Sequence, residues 1–259
     1  MKKYVLLLLL GVTLLTSCST PRDIAYLQDV QEKVPIAING DGYIRFEPGD
    51  KLSIYVHSRD EQLMNLFNIS GRNGMSNTQN GQNYAPYTID TAGEIDFPVL
   101  GSIKIGGLTR DEVAKYIKDQ LIINSLCKDP VVTVAFYNMT FSVLGNTGAG
   151  VKQINKDRIT LMEALAMASD LQIDGLRKNV LVMRQEGDKQ VPYRVDLTSA
   201  QSVYNSPVYY IRQNDVIYVE PNDKFKRNST VMGSSAFQPG FWMSMFSFLA
   251  SAALLIVKL

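Results

Sequence analysis

Tyr43-Ile44-Arg45-Phe46-Glu47-Pro48-Gly49-Asp50-Lys51-Leu52-Ser53-Ile54-Tyr55-Val56 decides the fold of this chain. Tyr43 to Phe46 reads as a strand and Glu47-Pro48-Gly49-Asp50 as a tight turn. Lys51 to Val56 then alternates, with Leu52, Ile54 and Val56 on one face, as a half-buried strand does. A near copy lies far downstream: Tyr210-Ile211-Arg212, a turn at Gln213-Asn214-Asp215, then Val216 to Val219. Two copies of one strand-turn-strand pattern imply two related units. Pro48, Gly49, Asp50 and Asp215 are the turn residues that define them.

Between the copies the chain alternates short strands with two capped helices. Tyr87-Thr88-Ile89-Asp90, Glu94-Ile95-Asp96-Phe97 and Ser102-Ile103-Lys104-Ile105 are separated by turns at Ala92-Gly93 and Pro98 to Gly101. Thr109 with Glu112 forms a capping box, and Val113, Ile117 and Leu121 repeat at helical spacing. Asp129-Pro130 stops that helix, and Val131 to Val134 with Phe136 is a further strand. The second unit repeats this in miniature. Phe141 to Leu144 enters Gly145-Asn146-Thr147-Gly148-Ala149-Gly150, and Thr160 with Glu163 caps a helix whose Leu161, Leu165 and Ala168 face inward. Val180 to Arg184 and Val191 to Leu197 are strands around the turn Glu186-Gly187-Asp188. Each unit is therefore a small α+β module, one helix on a short mixed sheet. Ser70 to Asn83, rich in Asn, Gly, Gln, Ser and Thr, has too little apolar content to order itself and is expected to be a mobile loop.

Both ends of the chain are built for lipid. Lys2 and Lys3 precede an apolar stretch and then Leu15-Thr16-Ser17-Cys18, a lipoprotein signal with Cys18 as the acylated residue. Ser19 after it points to outer-membrane delivery, and an ordinary secretory cleavage site is the alternative. Pro21 to Asn39 reads as a tether ending at the turn Asn39-Gly40-Asp41-Gly42. At the other end, Phe241 to Val257 is an uncharged run of about 25 Å as a helix. Ser244, Ser247 and Ser251 share one narrow sector, aromatics spread over the rest, and Trp242 suits a membrane interface. A chain already tethered by lipid has little need of a second anchor, so the serine face is expected to line a pore. The alternative is that the serines only let helices pack closely.

Composition excludes several classes. The chain has 26 basic and 25 acidic residues, and removing Lys2 and Lys3 leaves 24 basic, so nothing attracts nucleic acid. With Cys18 acylated, Cys127 has no disulfide partner. The lone histidine, His57, reads as a surface residue, and no His/Cys metal cage or Ser/His/Asp triad is available. Ser125-Leu126-Cys127-Lys128 fits a Ser-x-x-Lys pattern but falls where a helix ends. Gly145 to Gly150 reads as a hairpin rather than a phosphate loop, and Glu94 with Asp96 as solvated strand carboxylates rather than a glycosidase pair. No enzyme activity, cofactor or metal is expected.

Taken together these residues resemble the outer-membrane polysaccharide export family, the capsule and exopolysaccharide translocons of Gram-negative bacteria. Tyr43-Ile44, Pro48-Gly49-Asp50, Leu52, Ile54 and Val56 match its opening signature. Ile89-Asp90, Gly93, Ile95, Pro98, Gly101, Ile103, Gly107-Leu108-Thr109, Glu112 and Asp129-Pro130-Val131-Val132 match its central one. Val143, Gly145, Gly150, Thr160-Leu161, Glu163-Ala164-Leu165 and Asn214 to Val219 resemble the soluble-ligand-binding β-grasp module found beside it. In two respects the chain departs from the family pattern: Ser169-Asp170 stands where a glycine pair is usual, and one β-grasp module is evident.

The resemblance implies a signal peptide at 1–17, a tether at 18–42, an export domain at 43–138, a β-grasp domain at 139–222, a linker at 223–239 and a transmembrane pore helix at 240–259. It implies an outer-membrane lipoprotein with its bulk in the periplasm, acting as one subunit of a homo-oligomeric ring. Its partners would be a polysaccharide chain, outer-membrane lipid and an inner-membrane polysaccharide co-polymerase or tyrosine kinase. A periplasmic glycan-binding scaffold beside a separate channel is the alternative function.

Overall fold

Lys51–His57 forms strand β1, and its alternation buries Leu52, Ile54 and Val56 while Lys51 and His57 face out. The computed structural model describes residues 22–68, 85–230 and 239–258. Cys18 with its signal, the polar segment Ser70 to Asn83 and residues 231–238 of the linker lie outside the described residues.

After β1 come helix α1 (Glu61–Phe67), β2 (Tyr87–Thr88), β3 (Glu94–Phe97), β4 (Gly101–Lys104), α2 (Arg110–Ile123) and β5 (Val131–Phe136). The second unit runs β6 (Thr140–Gly145), β7 (Gly150–Gln153), α3 (Leu161–Met167), β8 (Gly175–Glu186), β9 (Lys189–Val195), α4 (Ala200–Tyr204) and β10 (Val216–Pro221). A short helix α5 (Asp223–Asn228) and a long one, α6 (Pro239–Lys258), follow. The class is mixed α+β. One antiparallel sheet has the order β2-β1-β5, and β3-β4 is a separate hairpin. The five-stranded sheet has the order β7-β6-β10-β8-β9, with β6 and β10 parallel and the other pairs antiparallel.

Both helices form where the capping boxes place them. The Thr109 hydroxyl accepts from the Glu112 N–H at 3.3 Å, and the Glu112 carboxylate accepts from the Thr109 N–H at 2.8 Å. Thr160 and Glu163 do the same at 3.2 and 3.0 Å. Each cap satisfies two backbone donors that the helix itself leaves open. Val113, Ile117 and Leu121 of α2 and Leu161, Ala164 and Leu165 of α3 are buried, in one continuous core with Phe46, Ile54, Val143, Ile217 and Val219.

Two segments depart from the expected strands. Tyr43 to Phe46 and Tyr210 to Arg212 are extended but each makes a single bridge, Arg45 to Thr109 and Tyr210 to Thr160. Their partners are the chain entering a capped helix, and the helix begins before a ladder can lengthen. The segment preceding Gly40 is fastened to the second unit. Leu27 N–H donates to Leu197 O at 3.0 Å, Gln28 N–H to Thr198 O at 2.7 Å, and Asn39 N–H to Tyr204 O at 3.1 Å.

Helix α6 is present over Pro239–Lys258, yet among the described residues no helix is long and apolar enough to cross a membrane. That corrects the expectation of a transmembrane helix at 240–259 in its simplest form, a lone span. A span needs roughly 20 predominantly apolar residues. Along α6 two of the serine hydroxyls turn back on their own helix. Ser244 Oγ donates to Phe241 O and Ser251 Oγ to Ser247 O, each at 2.8 Å.

Candidate functional site

The two repeated turns are closed in the same way. In Glu47-Pro48-Gly49-Asp50, Asp50 N–H donates to Glu47 O at 3.1 Å while Asp50 Oδ2 accepts from Glu47 N–H at 2.8 Å. In Arg212-Gln213-Asn214-Asp215, Asp215 N–H donates to Arg212 O at 3.4 Å and Asp215 Oδ2 accepts from Arg212 N–H at 2.8 Å. The third residue of each is left-handed, Gly49 at φ +92° and Asn214 at φ +62°. Glycine and asparagine tolerate that region best.

The surroundings repeat as well. Phe46 N–H donates to Leu108 O and Gly107 N–H to Phe46 O in the first unit; Ile211 N–H donates to Ile159 O and Leu161 N–H to Tyr209 O in the second. In each case the segment before the turn clasps the chain that enters the capped helix. The units are joined at this place, since Ile44 N–H donates to Asp157 O at 2.8 Å and the Arg158 guanidinium lies 5.2 Å from the centre of the Tyr43 ring.

The two aspartates differ in charge partner. Asp215, 1 % exposed, is paired with Arg184, whose Nε and Nη2 donate to its carboxylate at 3.0 and 2.6 Å. Arg184 also donates to Pro207 O at 3.0 Å and Tyr210 O at 2.7 Å, so the buried guanidinium knits the turn to the segment before it. Asp50, 4 % exposed, forms no ion pair among the described residues. Burial pushes its carboxyl up to about 6, the Glu47 N–H pulls it down, and the Glu47 charge adds to the rise.

Between the turns lies a cleft of about 410 Å³, with Tyr43, Glu47 and Asp50 on one wall and Arg184, Tyr210 and Arg212 on the other. Gly42 sits so close to Tyr210 that a Cβ there would lie 2.4 Å from the ring. Gln213 lines the same cleft, and its Oε1 is shut from solvent with no hydrogen-bond partner. Of the first turn's Pro48, Gly49 and Asp50, only Asp50 lines the cleft; Asp215 does not line it but holds Arg184, which does.

Residues 39–136 match the family described as polysaccharide biosynthesis/export protein. Those residues are a domain of that family. The EPS I polysaccharide export outer membrane protein EpsA of Ralstonia solanacearum is 30 % identical over 189 residues, 70 % of this chain and 49 % of that protein. The protein of the same name from Ralstonia nicotianae is 27 % identical over 188 residues, 70 % and 48 %. The chain spans about half the length of these relatives. Polysaccharide export proteins are transport proteins, not enzymes.

The family match takes in the first turn, the β3-β4 hairpin, α2 and β5, and ends before β6. Ser169 and Asp170 both adopt left-handed backbone, at φ +63° and +64°. Asp170 is held there by the Tyr26 hydroxyl, which donates to its carboxylate at 2.5 Å. Burial, then the bond to Asp170, pushes that phenol up to about 12.

Residues that hinted at other chemistry have structural places. Ser125 follows Asn124, the C-cap of α2, at φ +55°, exposed like Lys128, and His57 is exposed. Gly150 pairs with Val143 in the β6-β7 hairpin. Glu94 accepts from the Ser102 hydroxyl across the β3-β4 hairpin. Among the described residues no cluster of three or more His, Cys, Asp or Glu side chains is placed to hold a metal ion.

Ser244, Ser247, Ser251 and Trp242 lie on α6 and do not line the cleft; Trp242 is exposed beside Phe241. Sequence reasoning missed Arg184 and Gln213. The available signal for Arg184 was its register: it falls two and four positions after Val182 and Val180, on the face of β8 that they turn to the core.

Proposed function

We propose that this chain is a lipid-anchored outer-membrane subunit of an oligomeric translocon through which capsular polysaccharide or exopolysaccharide leaves the cell. The observation that carries this reading is the family match over 39–136, joined to two relatives that are both named polysaccharide export outer membrane proteins. Cys18 anchors the chain, the units at 43–138 and 139–222 stand in the periplasm as a homo-oligomeric ring, and residues 240–259 form the passage.

The helix α6 suits a ring better than a lone span. A helix whose serine face meets a watery lumen need be apolar only toward lipid, and exposed Phe241, Trp242, Phe246 and Phe248 supply that side. Hydroxyls at Ser244, Ser247 and Ser251 would offer a passing glycan exchangeable contacts without trapping it. The chain has no nucleotide-binding motif, so the driving force comes from an inner-membrane partner such as a polysaccharide co-polymerase or tyrosine kinase. Deleting residues 240–259 should leave a soluble ring and abolish export. Normal export by that truncation overturns the pore role.

A second reading has one observation in its favour. Since no described helix is long and apolar enough to cross a membrane, the chain could serve as a periplasmic glycan-binding scaffold beside a separate channel. Co-purification with a stoichiometric channel protein, without a ring when the chain is isolated alone, supports the scaffold over the pore.

A further inference from the structure

We infer that the cleft between the two repeated turns binds a neutral pyranose unit of the exported polysaccharide; this rests on the export function proposed above and gives the glycan a contact site on the body of the protein. The cleft, at about 410 Å³, falls within the range of small-ligand sites, roughly 300–1,000 Å³. Its free groups match a ring of hydroxyls. Gln213 Oε1 is a buried acceptor with no donor in the wall of the cleft, and a turn of its side chain toward the cleft brings it to a sugar O–H. Arg212 is exposed and carries no ion pair among the described residues, so its guanidinium presents several planar donors to the cleft. Glu47, on the opposite wall, is exposed and has no cation partner among the described residues, so its carboxylate can accept from two adjacent hydroxyls.

Charge decides against other occupants. The remaining cations of the lining are committed: Arg184 to Asp215, and Arg45 to Asp41 and Glu112 at 3.3 Å each. One free guanidinium against the free Glu47 carboxylate, with Asp50 buried behind it, suits neither a phosphate nor a metal ion. Two tyrosines line the same cleft, and each is held in place: Tyr43 beneath Arg158 and Tyr210 against Gly42. They give C–H faces of a sugar a fixed apolar surface. Because one wall comes from each unit, the site exists only where the two copies of the pattern meet.

The test uses the full-length protein in mild detergent and short oligosaccharides made by partial acid hydrolysis of the polysaccharide that the source bacterium secretes. Saturation-transfer NMR should show sugar ring protons in contact with the protein. The double variant Arg212→Ala/Gln213→Ala should bind at least tenfold more weakly while its thermal unfolding and oligomeric state stay those of the parent. Glu47→Gln, altering the opposite wall at a side chain with no hydrogen bond or ion pair among the described residues, should weaken binding separately.

Unchanged affinity in both variants overturns the inference. So does the absence of any contact with a parent chain that restores secretion to a deletion strain, and in that case the export function stands. Binding that the variants abolish, in a chain whose deletion leaves secretion intact, upholds the cleft and overturns the export function instead.

Discussion

Replacing the two turn aspartates one at a time should move stability in opposite directions at neutral pH. Asp50→Asn removes a buried carboxylate that faces no cation among the described residues. Its folded value of about 6 lies above the ordinary 3.8, so the folded state binds the proton more tightly and stability falls as pH rises from about 4 through about 6. The full penalty is present above that window. Two pH units at roughly 1.4 kcal/mol each set it at ~3 kcal/mol. The asparagine carbonyl can still accept from Glu47 N–H, and its unneeded amide donors cost about 1 kcal/mol. At pH 7.5 the variant should therefore be roughly 2 kcal/mol more stable than the parent, and near pH 4 slightly less stable.

Asp215→Asn does the reverse. It strips the charge from a pair whose partner, Arg184, is 3 % exposed, and leaves that guanidinium buried without an anion. Losing one member of such a pair costs roughly 3–5 kcal/mol. Urea unfolding followed by far-UV circular dichroism at a series of pH values measures both. The decisive quantity is the difference between Asp50→Asn and parent, which cancels the other titrating groups. A difference that stays flat from pH 4 to pH 7.5, or an Asp215→Asn variant within 1 kcal/mol of the parent, refutes the reasoning.

Three further outcomes follow from backbone geometry. Ser169→Gly should stabilise the chain by up to ~1 kcal/mol, because Ser169 is held at φ +63° where a side chain crowds the backbone; a thermal scan that shows lower stability counts against it. Gly42→Ala should destabilise by about 1–3 kcal/mol, since the added Cβ meets the Tyr210 ring at 2.4 Å and φ is +70°; an unchanged melting temperature would mean that Tyr210 moves freely. Thr160→Ala should lose about 1 kcal/mol with the cap of α3, and chemical denaturation showing no loss would mean that packing alone sets that helix start.

What was legible in the sequence was whatever is specified within a few residues. Each capping box puts its own partners three positions apart, so Thr109-Glu112 and Thr160-Glu163 mark helix starts without tertiary information. The stripes Val113-Ile117-Leu121 and Leu161-Leu165 then name the buried face. Strand β1 was equally plain because one face is core and the other solvent. Reasoning from pattern failed where the partner is distant. Tyr43 to Phe46 has strand composition, but only the helix entry at Thr109 shows that it makes one bridge and no ladder. Arg184 finds Asp215 across 31 positions, and nothing in its own strand says so. Helices α4 and α5 are a turn or two long, capped by Ser199 and Asn222, and carry too short a stripe to register as periodicity.

The twin turns show how one local solution acquires two uses. Both need an aspartate in the fourth position, because its carboxylate closes the loop on the backbone N–H of the first. Burying that carboxylate is unfavourable unless something answers its charge. The second unit answers it with Arg184, and the turn becomes a fixed point of the core. The first unit leaves Asp50 unanswered, and across the cleft Gln213 leaves an acceptor unfilled. A fold that resolves this problem at one turn could have resolved it at the other. Unfavourable polar groups left in the lining of one cleft, with Arg212 and Glu47 there unpaired among the described residues, are what a surface shaped for an outside partner looks like before that partner arrives.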